Sequence, residues 1–175
     1  MRNDSDIKLY LSKIRDLERQ VKVRMIAMMN AIRLGASLDN ELLNEQDVHR
    51  RRKQKVISQL KQFTIKETEE FLNAIFNELS DISLMVNIEM ASDSLNSPCF
   101  SQLKKLKHRV LEAENTINSY NIMDIAKHAD ALIQCINSAS KIKFDYKNND
   151  VGKKTKKKKQ YTVTKPANYV PFPMR

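Results

Sequence analysis

Three residues near the end of the first 140 carry side chains that can bind a metal ion. Asp124, His128 and Cys135 are spaced by four and seven residues, so a helix would place them along one side. Carboxylate, imidazole and thiolate groups are all zinc ligands, and this set is therefore a candidate zinc site. The alternative is an exposed Asp–His pair beside a small core cysteine. We favour the alternative, and we predict that the chain needs no metal and no other cofactor.

The sequence lacks the motifs of the common enzyme classes. Phosphate-binding loops, dinucleotide-binding turns and nucleophile elbows all depend on closely spaced glycines, and this chain has only Gly35 and Gly152. His49 and His108 lie inside basic runs, where they are more suited to adding protonatable charge than to acting as bases. The sequence therefore predicts a non-enzymatic protein.

Basic residues form three clusters that are candidate nucleic-acid-binding sites. Guanidinium groups match the oxygens of phosphate in bidentate geometry, and lysines neutralise phosphate charge. Three consecutive arginines point in different directions around a helix, so they can contact a phosphate backbone but cannot all read bases. This predicts binding to DNA or RNA without sequence specificity, while the alternative is a solvated surface. The clusters are Arg50, Arg51, Arg52, Lys53 and Lys55; Lys104, Lys105, Lys107 and Arg109; and Lys153, Lys154, Lys156, Lys157, Lys158 and Lys159.

The last 35 residues carry most of the charge. The formal net charge is +10, of which residues 141–175 contribute +9. Lysine runs of this kind bind phosphate, but they also serve nuclear import, attraction to anionic membranes, or solubility. Tyr169 and Phe172 lie among prolines at the end, where they can stack on unpaired bases or dock as an extended peptide in a partner's groove.

The elements that must position these groups are predicted to be helices. In the first of them, Ile7, Ile14, Val21 and Met28 recur every seven residues, with Leu17 in the second heptad series, which Arg24 interrupts. Gly35 is predicted to end this helix in the left-handed C′ position, so that it spans about residues 5 to 34. At 1.5 Å per residue it reaches roughly 45 Å, longer than a small domain. We therefore expect part of its stripe to pair with a partner protein or a second copy, through Ile7, Ile14, Leu17, Val21 and Met28.

Four further helices follow from capping signals and apolar periodicity. One is predicted to end near residue 62, and Thr64 and Glu67 form a capping box that starts another, over about residues 65 to 92. Pro98 is predicted to begin a fourth helix that ends near 118, and Asn121 can cap a fifth that ends near 143. Scarce glycine and 41% apolar residues complete the picture of an all-α helical bundle of about four or five helices over residues 1–145. Residues 146–175 are predicted to be a disordered basic tail.

These features predict a non-enzymatic helical protein that associates with nucleic acid through its basic tail and basic body patches. The alternative is a protein–protein adaptor or assembly factor that uses helix 1 together with Tyr169 and Phe172. No apolar run approaches the roughly 20 residues of a membrane span. Two isolated cysteines and an acidic, polar N-terminus predict an intracellular protein, either cytoplasmic or, in a eukaryotic or viral setting, nuclear.

Overall fold

A computed structural model describes residues 4–41, 48–92 and 98–139, and every regular element in these ranges is a helix. They are α1 (Asp4–Glu41), α2 (Val48–Lys61), α3 (Ile65–Ser92), α4 (Pro98–Ser119) and α5 (residues 122–139). The structure thus confirms the predicted all-α bundle and its long N-terminal helix. The predicted boundary at residue 145 and the tail of residues 146–175 lie outside the described ranges.

The core is built around α1, which packs against α2, α3 and α4, while α3 also packs against α4. Its apolar side chains repeat at steps of three and four along each helix, which turns one stripe of each toward the others. Burying each such side chain contributes roughly 1.5–3 kcal/mol. The largest of the buried residues in residues 1–133 are Ile14, Met28, Leu38, Leu60, Leu79, Leu103 and Leu106. The chain divides into two compact units, residues 1–133 and 134–175; in the described part of the second, residues 134–139, the backbone is helical.

The end of α1 differs from its prediction. The helix continues through Gly35 to Glu41, so the prediction that Gly35 ends it near residue 34 is wrong. A Cβ atom at Gly35 would lie 2.5 Å from Cδ2 of Leu132 on α5 and 3.0 Å from Cδ1 of Leu60 on α2. Glycine leaves room here for the ends of the Leu60 and Leu132 side chains, which would have to shift to accept a Cβ atom, and it does not mark a turn of the chain.

Arg24, which interrupts the heptad pattern, holds the junction of α2 and α3 against α1. Its guanidinium carbon lies 4.5 Å from the ring centre of Phe71 and 5.4 Å from that of Phe63. One of its terminal nitrogens donates a hydrogen bond to the Gln62 carbonyl oxygen over 3.1 Å. Burial lowers the pKa of Arg24, and the nearby Glu67 carboxylate opposes that effect. The arginine thus serves as a flat, cationic packing element between two phenylalanines.

Two side chains accept hydrogen bonds from the backbone N–H groups at the N-terminus of α3. Thr64 Oγ1 accepts from the Glu67 backbone N–H over 3.3 Å, which confirms this part of the predicted capping box. Asp130 of α5 accepts from the Ile65 N–H, also over 3.3 Å. A carboxylate at this end also interacts favourably with the helix dipole. Between α4 and α5, Asn121 has a φ of 51°, which lies in the left-handed region that asparagine tolerates.

Candidate nucleic-acid and protein-interaction surfaces

The first basic cluster lies on α2. This helix has the sequence VHRRRKQKVISQLK, with six cations and no carboxylate. Val56 and Leu60 are buried and fix the orientation of the helix, which leaves Arg50, Arg51 and Lys55 exposed. Arg52 is exposed as well, and Lys53 is half-buried. We define the basic face of α2 as Arg50, Arg51 and Lys55.

The basic face of α2 conflicts with the dipole of its own helix. Backbone N–H groups that lack partners give the first turn of a helix a partial positive charge. Two other helices of this chain place acids there, Asp4 and Asp6 in α1 and Glu67 in α3, whereas α4, like α2, has none. In α2 the first turn contains no acid, and three consecutive arginines follow it closely. Within α2 itself, the positive end of the backbone and the cationic side chains therefore carry charge of the same sign, while the acids that precede the helix in the sequence, Glu45 and Asp47, lie outside the described residues.

The second basic cluster, on α4, divides into two parts. Lys104 and Lys105 are exposed, and Lys107 is half-buried. Arg109 instead forms a two-pronged ion pair with Glu18 of α1, with N···O distances of 2.9 and 2.5 Å. Both side chains are less than one-third exposed, and the hydrogen bonds to Glu18 raise the pKa of Arg109. Arg109 thus joins α4 to α1, and its guanidinium group is turned to that contact.

The stripe predicted on helix 1 lies in the core of the chain's own bundle. Ile7, Ile14, Leu17, Val21 and Met28 are buried, none of them more than 7% exposed. The bundle itself covers these side chains in this fold. Tyr169 and Phe172, and the six tail lysines, lie outside the described residues.

The opposite side of α1 carries a different apolar set, which was not predicted. Val23, Ile26, Met29 and Leu34 are 40–59% exposed and lie within three turns of the helix. We define them as the outer face of α1. The signal was present in the sequence, because ten of the fourteen residues from 21 to 34 are apolar, more than one buried stripe requires.

A second exposed apolar set lies on α3. Leu84, Met85 and Ile88 are 40–58% exposed, whereas Ile82 and Val86 beside them are buried in the core. We define Leu84, Met85 and Ile88 as the outer face of α3. Two other large apolar side chains, Leu9 and Leu111, are exposed singly on α1 and α4.

The residues considered as zinc ligands do not assemble into a site. Nδ1 of His128 lies 2.8 Å from the backbone carbonyl oxygen of Asp124, and the Asp124 carboxylate contacts Lys127 over 3.4 Å. Cys135 is exposed and free. Within residues 4–41, 48–92 and 98–139, no three His, Cys, Asp or Glu side chains are placed to hold a metal ion.

A small cleft of about 180 Å³ lies where α4 meets α5, between Phe76, Ile117 and Ile122. This is below the roughly 300 Å³ of small-molecule sites. Asp124 is the only charged residue of its lining.

No helix in the described part of the chain has the length and apolar character needed to cross a membrane. No protein-family model, curated protein or solved structure matches this chain.

Proposed function

We propose that this chain associates with nucleic acid by gripping phosphate, without reading base sequence. The observation that carries the proposal is α2, a fourteen-residue helix with six cations, no carboxylate and an exposed basic face. Charges of one sign at the positive end of a helix repel each other, and a bound phosphate relieves that repulsion. Arginine is suited to this role because its fork of donors matches phosphate oxygens.

Two further groups of cations support the same proposal. Lys104 and Lys105 are exposed on α4, and the sequence from 141 to 175 adds a net charge of +9. Such cations release counterions when they neutralise phosphates, which gives affinity without base recognition. Arg109 is left out of this binding surface because Glu18 occupies it.

The test is fluorescence anisotropy of short DNA and RNA probes over a salt series with the full chain. We expect affinity to fall steeply with salt. Replacing Arg50, Arg51 and Lys55 with glutamine should lower the slope of log K against log salt by about 2 to 3, because each lost phosphate contact removes about 0.9. The matched control replaces Lys8, Lys13 and Arg15, which are exposed on α1, with glutamine.

The two variants lose the same charge, so their difference isolates the basic face of α2. An equal loss in both would mean that overall charge acts and that α2 has no special part. No binding of either probe at low salt by the unaltered chain would contradict the proposal.

A second candidate function is that of a protein-assembly factor. The outer faces of α1 and α3 support it, because soluble proteins tend to expose large apolar side chains singly and to bury those that cluster. The surface differs from the stripe expected on helix 1, which the bundle covers. We expect another protein to co-purify with this chain. The complex should persist at moderate salt and should be lost when Ile26 is replaced with aspartate.

A further inference from the structure

The outer faces of α1 and α3 differ in the charges that surround them. From residue 19 to 38, α1 contains Arg19, Lys22, Arg24 and Arg33 and no carboxylate. Arg24 is used inside the bundle, and Arg19 contacts Asp16 at 3.1 Å, while Lys22 and Arg33 are exposed beside the apolar residues. The outer face of α1 is therefore apolar with a basic surround.

The surround of the outer face of α3 has the opposite sign. From residue 67 to 92, α3 contains six carboxylates and no cation. Glu78 and Asp81 lie within one to two turns of Leu84 and are exposed, as Leu84 and Ile88 are. The two faces are therefore complementary both in their apolar centres and in the charges beside them.

We propose that the outer face of α1 binds the outer face of α3 of a second copy of this chain. The charges favour this pairing over a symmetric one. Two α1 faces in contact would oppose cations with cations, and two α3 faces would oppose carboxylates with carboxylates. Like charges brought together in an interface are unfavourable.

One antiparallel register satisfies both requirements. When Val23 of one copy lies opposite Ile88 of the other, the same register sets Ile26 opposite Met85 and Arg33 opposite Glu78. Side chains at these positions recur on one side of each helix, as packing between helices requires. The contact extends over the 12 residues from Val23 to Leu34, whose first and last Cα atoms lie roughly 16 Å apart along the helix.

Each copy carries both faces, so two copies can make the contact twice, or successive copies can make it once each. The inference rests on the second candidate function, which it extends by naming the partner, and it is independent of phosphate binding.

The test combines two variants of the full chain. Ile26→Asp places a carboxylate in the outer face of α1, and Ile88→Lys places a cation in the outer face of α3. Each is measured alone and as an equimolar mixture by sedimentation equilibrium, up to about 100 µM. Leu111→Asp, on α4 and 51% exposed, is the matched control. Circular dichroism checks that all variants keep their helices, as substitutions at exposed positions should.

We expect the unaltered chain and Leu111→Asp to self-associate equally. Each face variant alone should self-associate at least about tenfold more weakly, because a charge in a buried contact is costly. The mixture should recover association, since the intact α3 face of the first variant meets the intact α1 face of the second.

Three results would overturn the inference. The first is a monomer mass for the unaltered chain at every concentration. The second is self-association by Ile88→Lys alone, which would indicate a symmetric α1 contact. The third is a mixture that does not associate. In each case anisotropy on the monomeric Ile26→Asp variant still measures phosphate binding separately, and co-purification of other proteins with the unaltered chain tests the assembly role on its own.

Discussion

Two consecutive helices, α2 and α3, differ in their charge, in the acids of their first turns and in how many residues they bury. α3 has its first turn capped by Thr64 and by Asp130, an acid at its positive end, and five buried residues along one side. α2 has no acid in its first turn and six cations in fourteen residues, and among its residues 50–61, whose side chains are described, only Val56 and Leu60 are buried. Both helices pack in the same bundle, yet α3 buries more residues and has an acid in its first turn, whereas α2 is dominated by cations.

The difference suggests which helix has a sequence that serves the stability of the fold and which helix is a candidate functional site. A sequence that folds well tends to satisfy local propensity, capping and packing together, and departures from this agreement concentrate at functional sites. The basic face of α2 is such a departure. This is the reason for proposing that phosphate binds at α2 and for treating α3 as structural on its inner side.

We expect the largest loss of stability from a substitution at the junction of α2 and α3. Replacing Arg24 with alanine removes the stacking on Phe63 and Phe71 and the hydrogen bond to the Gln62 carbonyl oxygen. We expect a loss of about 2 to 3 kcal/mol in the free energy of unfolding, measured by urea denaturation. Arg24→Met keeps most of the volume and should recover the packing part of the loss. Equal stability of Arg24→Ala and the unaltered chain would remove Arg24 from this role.

The packing of α2 against α1 includes the contact between the Leu60 side chain and Gly35. Gly35→Val would push against Leu60 of α2 and Leu132 of α5, and overpacking of this kind costs about 2 kcal/mol. Ala36→Val is the matched control, because residue 36 is exposed and the change adds a similar β-branched side chain. Thermal unfolding should show a much larger fall for Gly35→Val. No fall for Gly35→Val would mean that the side chains of Leu60 and Leu132 make room at no cost, because helix propensity by itself favours valine over glycine.

A substitution of Asp130 measures how much the hydrogen bond to the Ile65 N–H stabilises the N-terminus of α3. Asp130→Ala leaves the Ile65 N–H without its acceptor and removes a negative charge from the positive end of α3. The expected loss is about 1 kcal/mol by chemical denaturation. Asp16→Ala removes an exposed carboxylate paired with Arg19 and should change stability by less than about 0.5 kcal/mol. A smaller loss for Asp130→Ala than for this control would contradict the capping role.

Local signals in the sequence predicted much of the fold. The start of α3 follows from Thr64 and Glu67, the start of α4 from Pro98, and the inner stripe of α1 from the spacing of residues such as Ile14 and Val21. All of these depend on residues close together in the chain, which is why periodicity and capping rules find them.

The features that the sequence did not reveal depend on distant residues. Gly35 looks like a helix end until Leu60 and Leu132 are placed against it. Arg109 looks like part of a basic surface until Glu18, 91 residues away, is found beside it. Likewise, only the bundle shows that the stripe of α1 is covered and that Val23 and Ile26 face outward.

The most direct test of the central claim measures both stability and binding for Arg51→Glu. An acid near the positive end of α2 should raise the free energy of unfolding by about 0.5 kcal/mol, while the same change weakens the binding of a DNA probe. Lys61→Glu makes the same charge change in the last turn of α2, where it should lower stability by a similar amount. The account predicts that Arg51→Glu makes the protein more stable and a poorer binder, and that it impairs binding more than Lys61→Glu does. Unchanged binding by Arg51→Glu, together with the expected rise in stability, would contradict it.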